Sequence, residues 1–322
     1  MRKTLFYLSA IILFIIYFSF SATAQQDAQF SQYMFNTLFL NPAYAGVEGQ
    51  TKFQLIHRSQ WTAYQASFVD GSAPTTQNFS VNAPILRLKS GVGVHIVNDK
   101  LGPLTNLEAQ VSYAYHFPVK NGKLSLGVRG GIYSQGINFD LYRAINEDDV
   151  ILSDRSGQEY QIRPDMALGV FYRSEKYYGG ISMNHIIRSE FDFGSDSLKN
   201  PLQNHLAFTA GYDYDLTYNV VLSPSVLLKS DFNTYSFEVS AVATYDEKFW
   251  GGLSFRQGDA AIILVGVSLL KDKSLKLGYG FDYIIKARPL KRPTSNEIML
   301  SYTLPAPSPN AKPIIRTPRF RH

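Results

Sequence analysis

Leu107-Glu108-Ala109-Gln110-Val111-Ser112-Tyr113-Ala114-Tyr115-His116-Phe117 sets Leu107, Ala109, Val111, Tyr113 and Tyr115 in alternation with Glu108, Gln110, Ser112 and His116. A period of two is that of a β-strand with one apolar and one polar face. The pattern returns at Tyr235, Phe237, Val239, Ala241, Ala243 and Tyr245, which alternate with Ser236, Glu238, Ser240 and Thr244. It returns again at Leu275, Leu277, Tyr279, Phe281, Tyr283 and Ile285, against Lys276, Gly278, Gly280 and Asp282. Weaker copies start near Phe53, Thr76, Val92, Leu124, Met166, Tyr178, Leu206, Val220, Trp250, Ile262 and Ile298. These segments predict about fourteen strands of roughly ten residues, an even number at the length of outer-membrane strands.

Soluble sandwiches alternate too, so the connections decide. Every second one is tight: residues 118–122, 174–176, 215–218, 246–247 and 271–273, with 84–89 slightly longer. Of the others, 59–75, 134–163, 185–203 and 286–294 are long, and those near Asp99, Asp231 and Gly258 are short. One edge of the sheet therefore carries all the long loops, the asymmetry of membrane barrels. Lipid cannot satisfy backbone N–H and C=O groups, so strands in a membrane must close on themselves. Tyr113, Tyr115, Tyr212, Tyr214, Tyr283 and Tyr302 fall near predicted strand ends, where aromatic girdles sit. The expected fold is an all-β, transmembrane antiparallel β-barrel with both barrel termini on the periplasmic side. Pro224 interrupts one strand and predicts a bulge there.

Composition agrees. The chain is 45% hydrophobic but only 18% charged, below the roughly 25% of a soluble domain. It has no cysteine, which removes disulfides and thiolate sites. The net charge of +5 is unevenly placed. Setting aside the +7 of residues 286–322 and the +2 of Arg2 and Lys3 leaves −4 for residues 25–285, which argues against a nucleic-acid surface.

Residues 1–24 have the layout of a signal peptide: Arg2 and Lys3, an uncharged apolar run from Leu5 to Phe20, and Ala22-Thr23-Ala24, with cleavage expected after Ala24. The competing reading, a retained anchor, meets a run shorter than the ~20 residues that span a bilayer. Residues 25–46 then form an N-terminal plug-like segment, 47–304 the barrel, and 305–322 a basic, Pro-rich periplasmic tail.

The segment Gln26-Asp27-Ala28-Gln29-Phe30-Ser31-Gln32-Tyr33-Met34-Phe35-Asn36, followed by Leu38-Phe39-Leu40-Asn41-Pro42-Ala43-Tyr44-Ala45-Gly46, resembles the opening of the PorP/SprF family of type IX secretion outer-membrane proteins. His57-Arg58-Ser59-Gln60-Trp61, Gly91-Val92-Gly93 and Tyr113-Ala114-Tyr115-His116-Phe117 carry the resemblance onward. It implies an integral outer-membrane component of secretion and gliding. The implied partners are periplasmic ring proteins of the secretion system, and a secreted adhesin or its C-terminal signal domain that is exported or anchored at the surface. The chain departs from ordinary barrels in ending its last strand at Leu304, ahead of the tail.

Candidate contact residues in the opening segment are Phe30, Tyr33, Met34, Phe35, Asn41, Pro42 and Tyr44, with Phe39 and Leu40 filling the lumen beside them. They serve either as a plug and packing or as a docking strip at the periplasmic mouth. In the tail, Lys312, Arg316, Arg319 and Arg321 either tether an acidic partner or belong to a disordered end. Trp61 reads as an interfacial tryptophan. The acids Asp140, Glu147, Asp148, Asp149, Asp154 and Glu159 read as a solvated loop, without the fixed spacing of a calcium site. The polar strand face places Glu108, His116, Arg129, Asp165, His205, Asp213, Glu238, Lys276 and Asp282 in the lumen. No catalytic, cofactor or metal motif is present, so a non-enzymatic role is expected. The alternative is a passive channel or hydrophobic-solute transporter gated by the N-terminal segment, embedded like the first in outer-membrane lipid.

Overall fold

A computed structural model of the chain describes residues 27–62, 73–142, 156–193, 200–285 and 294–305. The expected signal segment with its expected cleavage site after Ala24, most of the acidic loop, and the tail with Lys312, Arg316, Arg319 and Arg321 lie outside the described residues.

Alternation becomes a closed, fourteen-strand antiparallel barrel. Its strands are β1 (Lys52–Ser59), β2 (Thr75–Ile85), β3 (Ser90–Leu101), β4 (Leu104–Val119), β5 (Gly122–Asn138), β6 (Gln158–Ser174) and β7 (Tyr177–Asn184). A small ladder, β8 (Glu190–Phe191) with β9 (Asn200–Pro201), stands apart from the wall. The wall resumes with β10 (His205–Tyr212) and its continuation β11 (Tyr214–Thr217). It is completed by β12 (Val220–Ser230), β13 (Tyr235–Tyr245), β14 (Phe249–Arg256), β15 (Ala260–Leu269), β16 (Leu275–Ile284) and β17 (Thr294–Thr303). Neighbours in sequence pair throughout, and β1 pairs with β17, from Lys52 opposite Thr303 to Ser59 opposite Asn296. The ring has no free edge, as lipid requires.

Side chains sort as the period demands. Leu55, Val111, Val128, Leu168, Leu253, Ile263 and Ile298 point out and are exposed on the wall. Tyr115, Phe117, Tyr177, Tyr212, Tyr214, Tyr245, Phe249 and Tyr302 crowd the short-turn end of that surface, with Tyr235, Phe255 and Tyr283 towards the other end. Glu108, His116, Arg129, Asp165, His205, Glu238 and Asp282 point in and are buried, as the alternation predicts. The tight turns take left-handed residues: Asp246 and Glu247 have φ 54° and 53°, the hand that matches strand twist in a hairpin.

Two local expectations are corrected. The loop read as 134–163 is shorter, because β5 continues to Asn138 and β6 begins at Gln158 in unbroken register. Pro224 causes no bulge in β12; it pairs in register with Ala241 of β13. The interruption falls on the other neighbour, between β10 and β11 at Asp213, so the missing proline donor faces a gap already in the ladder.

Candidate functional site

Residues 27–48 run inside the wall from one end to the other. Asp27 lies beside His185 and His205, which bound the long connection from β7 to β10. Glu48 lies 3.8 Å from Lys52, at the short-turn end. The first described residue is therefore at the long-loop end, and the segment leaves at the opposite mouth to begin β1. Short helical turns, Tyr33–Phe35, Thr37–Leu40 and Pro42–Tyr44, compact it within that length. Asn41 caps the last by accepting from the Ala43 amide at 2.9 Å, with Pro42 at the first helical position.

The long-loop half is fixed by charge. Arg58 of β1 donates from Nη2 to Asp282 of β16 at 2.7 Å and from Nη1 to Glu297 of β17 at 3.3 Å. Ser31 is bonded into the centre of this knot. Its hydroxyl accepts from Arg58 Nη1 at 2.6 Å and donates to Asp282 at 2.7 Å, while its amide donates to Glu297 at 2.7 Å. The Gln32 amide fills the other Glu297 oxygen at 2.9 Å. Arg256 reaches Glu238 at 2.8 Å, Asp259 at 3.2 Å and Asp282 at 3.6 Å. Buried carboxylates need such complete pairing, because desolvation otherwise outweighs the attraction.

The middle of the segment is held by packing and by Arg129, which donates to the carbonyls of both Leu38 and Phe39. Phe39 meets Phe30 edge-on at 5.2 Å and His95 at 5.8 Å. Tyr33 is buried and its hydroxyl is 2.9 Å from that of Ser225. Further along, glycines of the wall make room: a Cβ on Gly127 would collide with Ala43 backbone, and one on Gly91 with the Ala45 carbonyl. Asn41 donates to the carbonyls of Val170 at 3.0 Å and Ile181 at 3.2 Å, in a space left by Gly169 and Gly180.

The short-turn half is looser. Cavities of about 600 and 500 Å³ open beside Phe35, Glu48, Lys52, Thr244 and Lys276. Phe35 is half-buried against Trp250, with ring centroids 4.7 Å apart. Tyr44 is half-buried, edge-on to Phe171 at 5.2 Å, and its hydroxyl donates to Glu48.

The seven candidate contact residues of the segment therefore distribute along the lumen. Phe30, Tyr33, Asn41 and Pro42 are buried, Met34, Phe35 and Tyr44 half-buried. Trp61 is not on the lipid surface: it turns at φ 49° and packs against the inner cluster containing Phe30 and Met299. Over the same end, Phe191, Phe193 and Leu202 pack on Tyr133 and Ile137.

Sequence reading missed Arg58 and Glu297 as wall charges, since one sat in a loop-boundary motif and the other near the tail. Strand parity would have found both. It also missed the joining of Asp27 to His185 and His205, each 2.9 Å away, because the partners are far apart in sequence. His185 also bonds Asp165 at 2.9 Å through Nδ1. Burial alone would raise the Asp27 carboxyl and lower the His185 imidazole. Their mutual attraction outweighs it, holding Asp27 well below and His185 well above the ordinary values.

Among solved structures the chain is similar to the toluene transporter TodX of Pseudomonas putida, at 11% identity and TM-score 0.48 over 83% of this chain and 92% of that one. It is similar to the Ralstonia pickettii toluene transporter TbuX, at 12% and 0.46 over 83% and 92%. It is also similar to CdiB from Acinetobacter baumannii, at 9% and 0.41 over 79% and 60%. At this level the likeness is that of one β-barrel to another. No curated protein sequence matches the chain. The family model described as type IX secretion system membrane protein PorP/SprF matches residues 22–302.

Proposed function

Because the chain belongs to the PorP/SprF family of type IX secretion system membrane proteins, we propose that this outer-membrane barrel exports or anchors a surface adhesin and does so without enzymatic chemistry. The observation that carries the reading is the family match, which extends over the opening segment and the whole wall. In this proposal the short-turn end faces the periplasm and meets the secretion system's ring proteins. Its rim supports that use: Glu48, Lys52, Glu247, Asp272, Lys273 and Lys276 line an open, mixed-charge vestibule, the kind of surface that steers and registers a polar partner. The opening segment acts as a fixed plug, with Phe30, Tyr33, Asn41 and Pro42 as packing and Phe35 and Tyr44 nearest the vestibule. The basic tail from Pro305 onwards, carrying Lys312, Arg316, Arg319 and Arg321, extends the periplasmic contact.

The test is a pull-down of the tagged protein from native outer membranes in mild detergent, followed by mass spectrometry. Recovery of a large adhesin or of ring components supports the secretion role. Recovery of the barrel alone, at a yield that retains known membrane complexes, shifts the assignment to a channel gated by the opening segment. Planar-bilayer recording separates the two further. Deleting residues 27–46 should turn a silent barrel into an open pore if the segment is a plug, whereas a gated channel conducts with the segment in place.

A further inference from the structure

Beyond the charge knot, the long-loop half of the lumen holds a second polar group with another geometry. Three donor atoms converge there from three separate parts of the chain: a carboxylate oxygen of Asp27, Nε2 of His185 and Nδ1 of His205. All lie within 4.8 Å of one another, and each imidazole nitrogen is 2.9 Å from the same Asp27 oxygen. His185 and His205 are buried, and their rings meet edge-on at 5.6 Å, so they cannot stack out of the way.

From these atoms we propose that Asp27, His185 and His205 form a binding site for one divalent cation of the zinc class, a clip fastening the start of the lumen segment to the wall. Two imidazoles and a carboxylate are the donor set such ions take, at roughly 2.0–2.2 Å from each atom. Tetrahedral ligands at that radius stand about 3.3–3.6 Å apart. Each imidazole nitrogen, 2.9 Å from the Asp27 oxygen, therefore moves out by about half an ångström, and the two nitrogens, within 4.8 Å of each other, come to the same spacing. A bound cation displaces the imidazole protons and leaves a fourth position for water.

The surroundings are those of a metal site. Asp165 accepts from His185 Nδ1, which fixes the ring with Nε2 turned towards Asp27, and Gln110 holds Asp165 at 2.5 Å. A carboxylate behind a histidine ligand is the usual means of orienting it and raising its basicity. Charge points the same way. Asp27, Asp99, Glu108 and Asp165 share one electrostatic neighbourhood around Tyr133, and the cations facing it are Arg129 and Lys229. Lys229 donates to the carbonyls of Asp27 and Ala28 at 3.3 Å, so it does not occupy the carboxylate oxygen the ion would use.

The site depends on where Asp27 sits and not on the secretion role, and its test is independent of any partner. The mature full-length protein is purified in detergent, stripped with a chelator, and titrated with Zn2+ and with Co2+. One equivalent should bind, and Co2+ should give the intense visible absorption of a four-coordinate nitrogen–oxygen set. Asp165→Asn should weaken binding about 10–100-fold. His185→Gln, His205→Gln and Asp27→Asn should each weaken it at least as much. The heat-modifiable band of a folded barrel, comparing unheated with boiled samples on gels, checks that each variant remains a barrel, and Asp27→Asn leaves the wall untouched. The Co2+ spectrum needs no variant. Absence of stoichiometric binding to the wild-type chain, a hexa-aquo-like Co2+ spectrum, or affinity unchanged in all three ligand variants overturns the site.

Discussion

The two halves of the lumen are built on different principles. At the long-loop end, Arg58, Asp282, Glu297 and Arg256 are buried and paired, and Ser31 is bonded into their centre. At the short-turn end, Glu48, Lys52 and Lys276 line cavities of about 600 and 500 Å³, where water can reach them. The same wall and the same opening segment thus make a closed end and an accessible one. Buried charges specify a single geometry because any misplacement leaves one of them unpaired, whereas solvated charges tolerate rearrangement.

The contrast can be broken most forcefully at Arg58. Arg58→Met leaves Glu297 without a cation and Asp282 with only Arg256 at 3.6 Å, and should cost about 3–5 kcal/mol of stability, read as the urea midpoint of barrel unfolding in detergent. A cost below about 1 kcal/mol would mean that water already reaches that end. Next in size is Gly127→Val, whose side chain needs the space of the Ala43 backbone. It should cost about 1–3 kcal/mol and make residues 27–46 newly sensitive to protease, unless the segment shifts without detaching. Tyr33→Phe removes one hydroxyl contact with Ser225 and should cost about 0.5–1.5 kcal/mol. Smallest is Lys273→Met at the accessible rim. It breaks an exposed pair with Glu247 at 3.0 Å and should change stability by no more than about 1 kcal/mol. If the rim variant matched the Arg58 variant, the two ends would not differ as described.

The wall was legible in the sequence because membrane strands repeat one simple rule. Val111, Tyr113 and Tyr115 face outward while Gln110, Ser112 and His116 face inward, and nothing distant is needed to read that. Strand ends were less legible. Gln135 and Gln161 look like loop residues, yet they lie paired in register in extensions of β5 and β6, where a polar face gives no warning. Pro224 was misread for a related reason, since whether a missing donor matters depends on the neighbouring strand. The opening segment drew notice through Phe30 and Tyr33, which are buried in the structure, but no local pattern gave its direction. Lumen packing and a docking strip at one mouth were both open readings of it; the segment follows a path through the lumen, where Ser31 finds its partners in the last two strands. Contacts such as Ser31 to Glu297 join residues separated by almost the full chain, and no local pattern announces them.

The seam between β1 and β17 is also a matter of timing. Ser31 and Gln32 leave the ribosome early, whereas Asp282 and Glu297, which receive them, are among the last wall residues to be made. Once β1 has zipped to β17 the ring offers no side door, so a segment left outside could enter only end-on, through a mouth. Arg58 stands on the first strand and clasps acids on the last two, so the clasp cannot fasten until that moment. Sealing the wall and seating the segment thus draw on the same acids, Asp282 and Glu297.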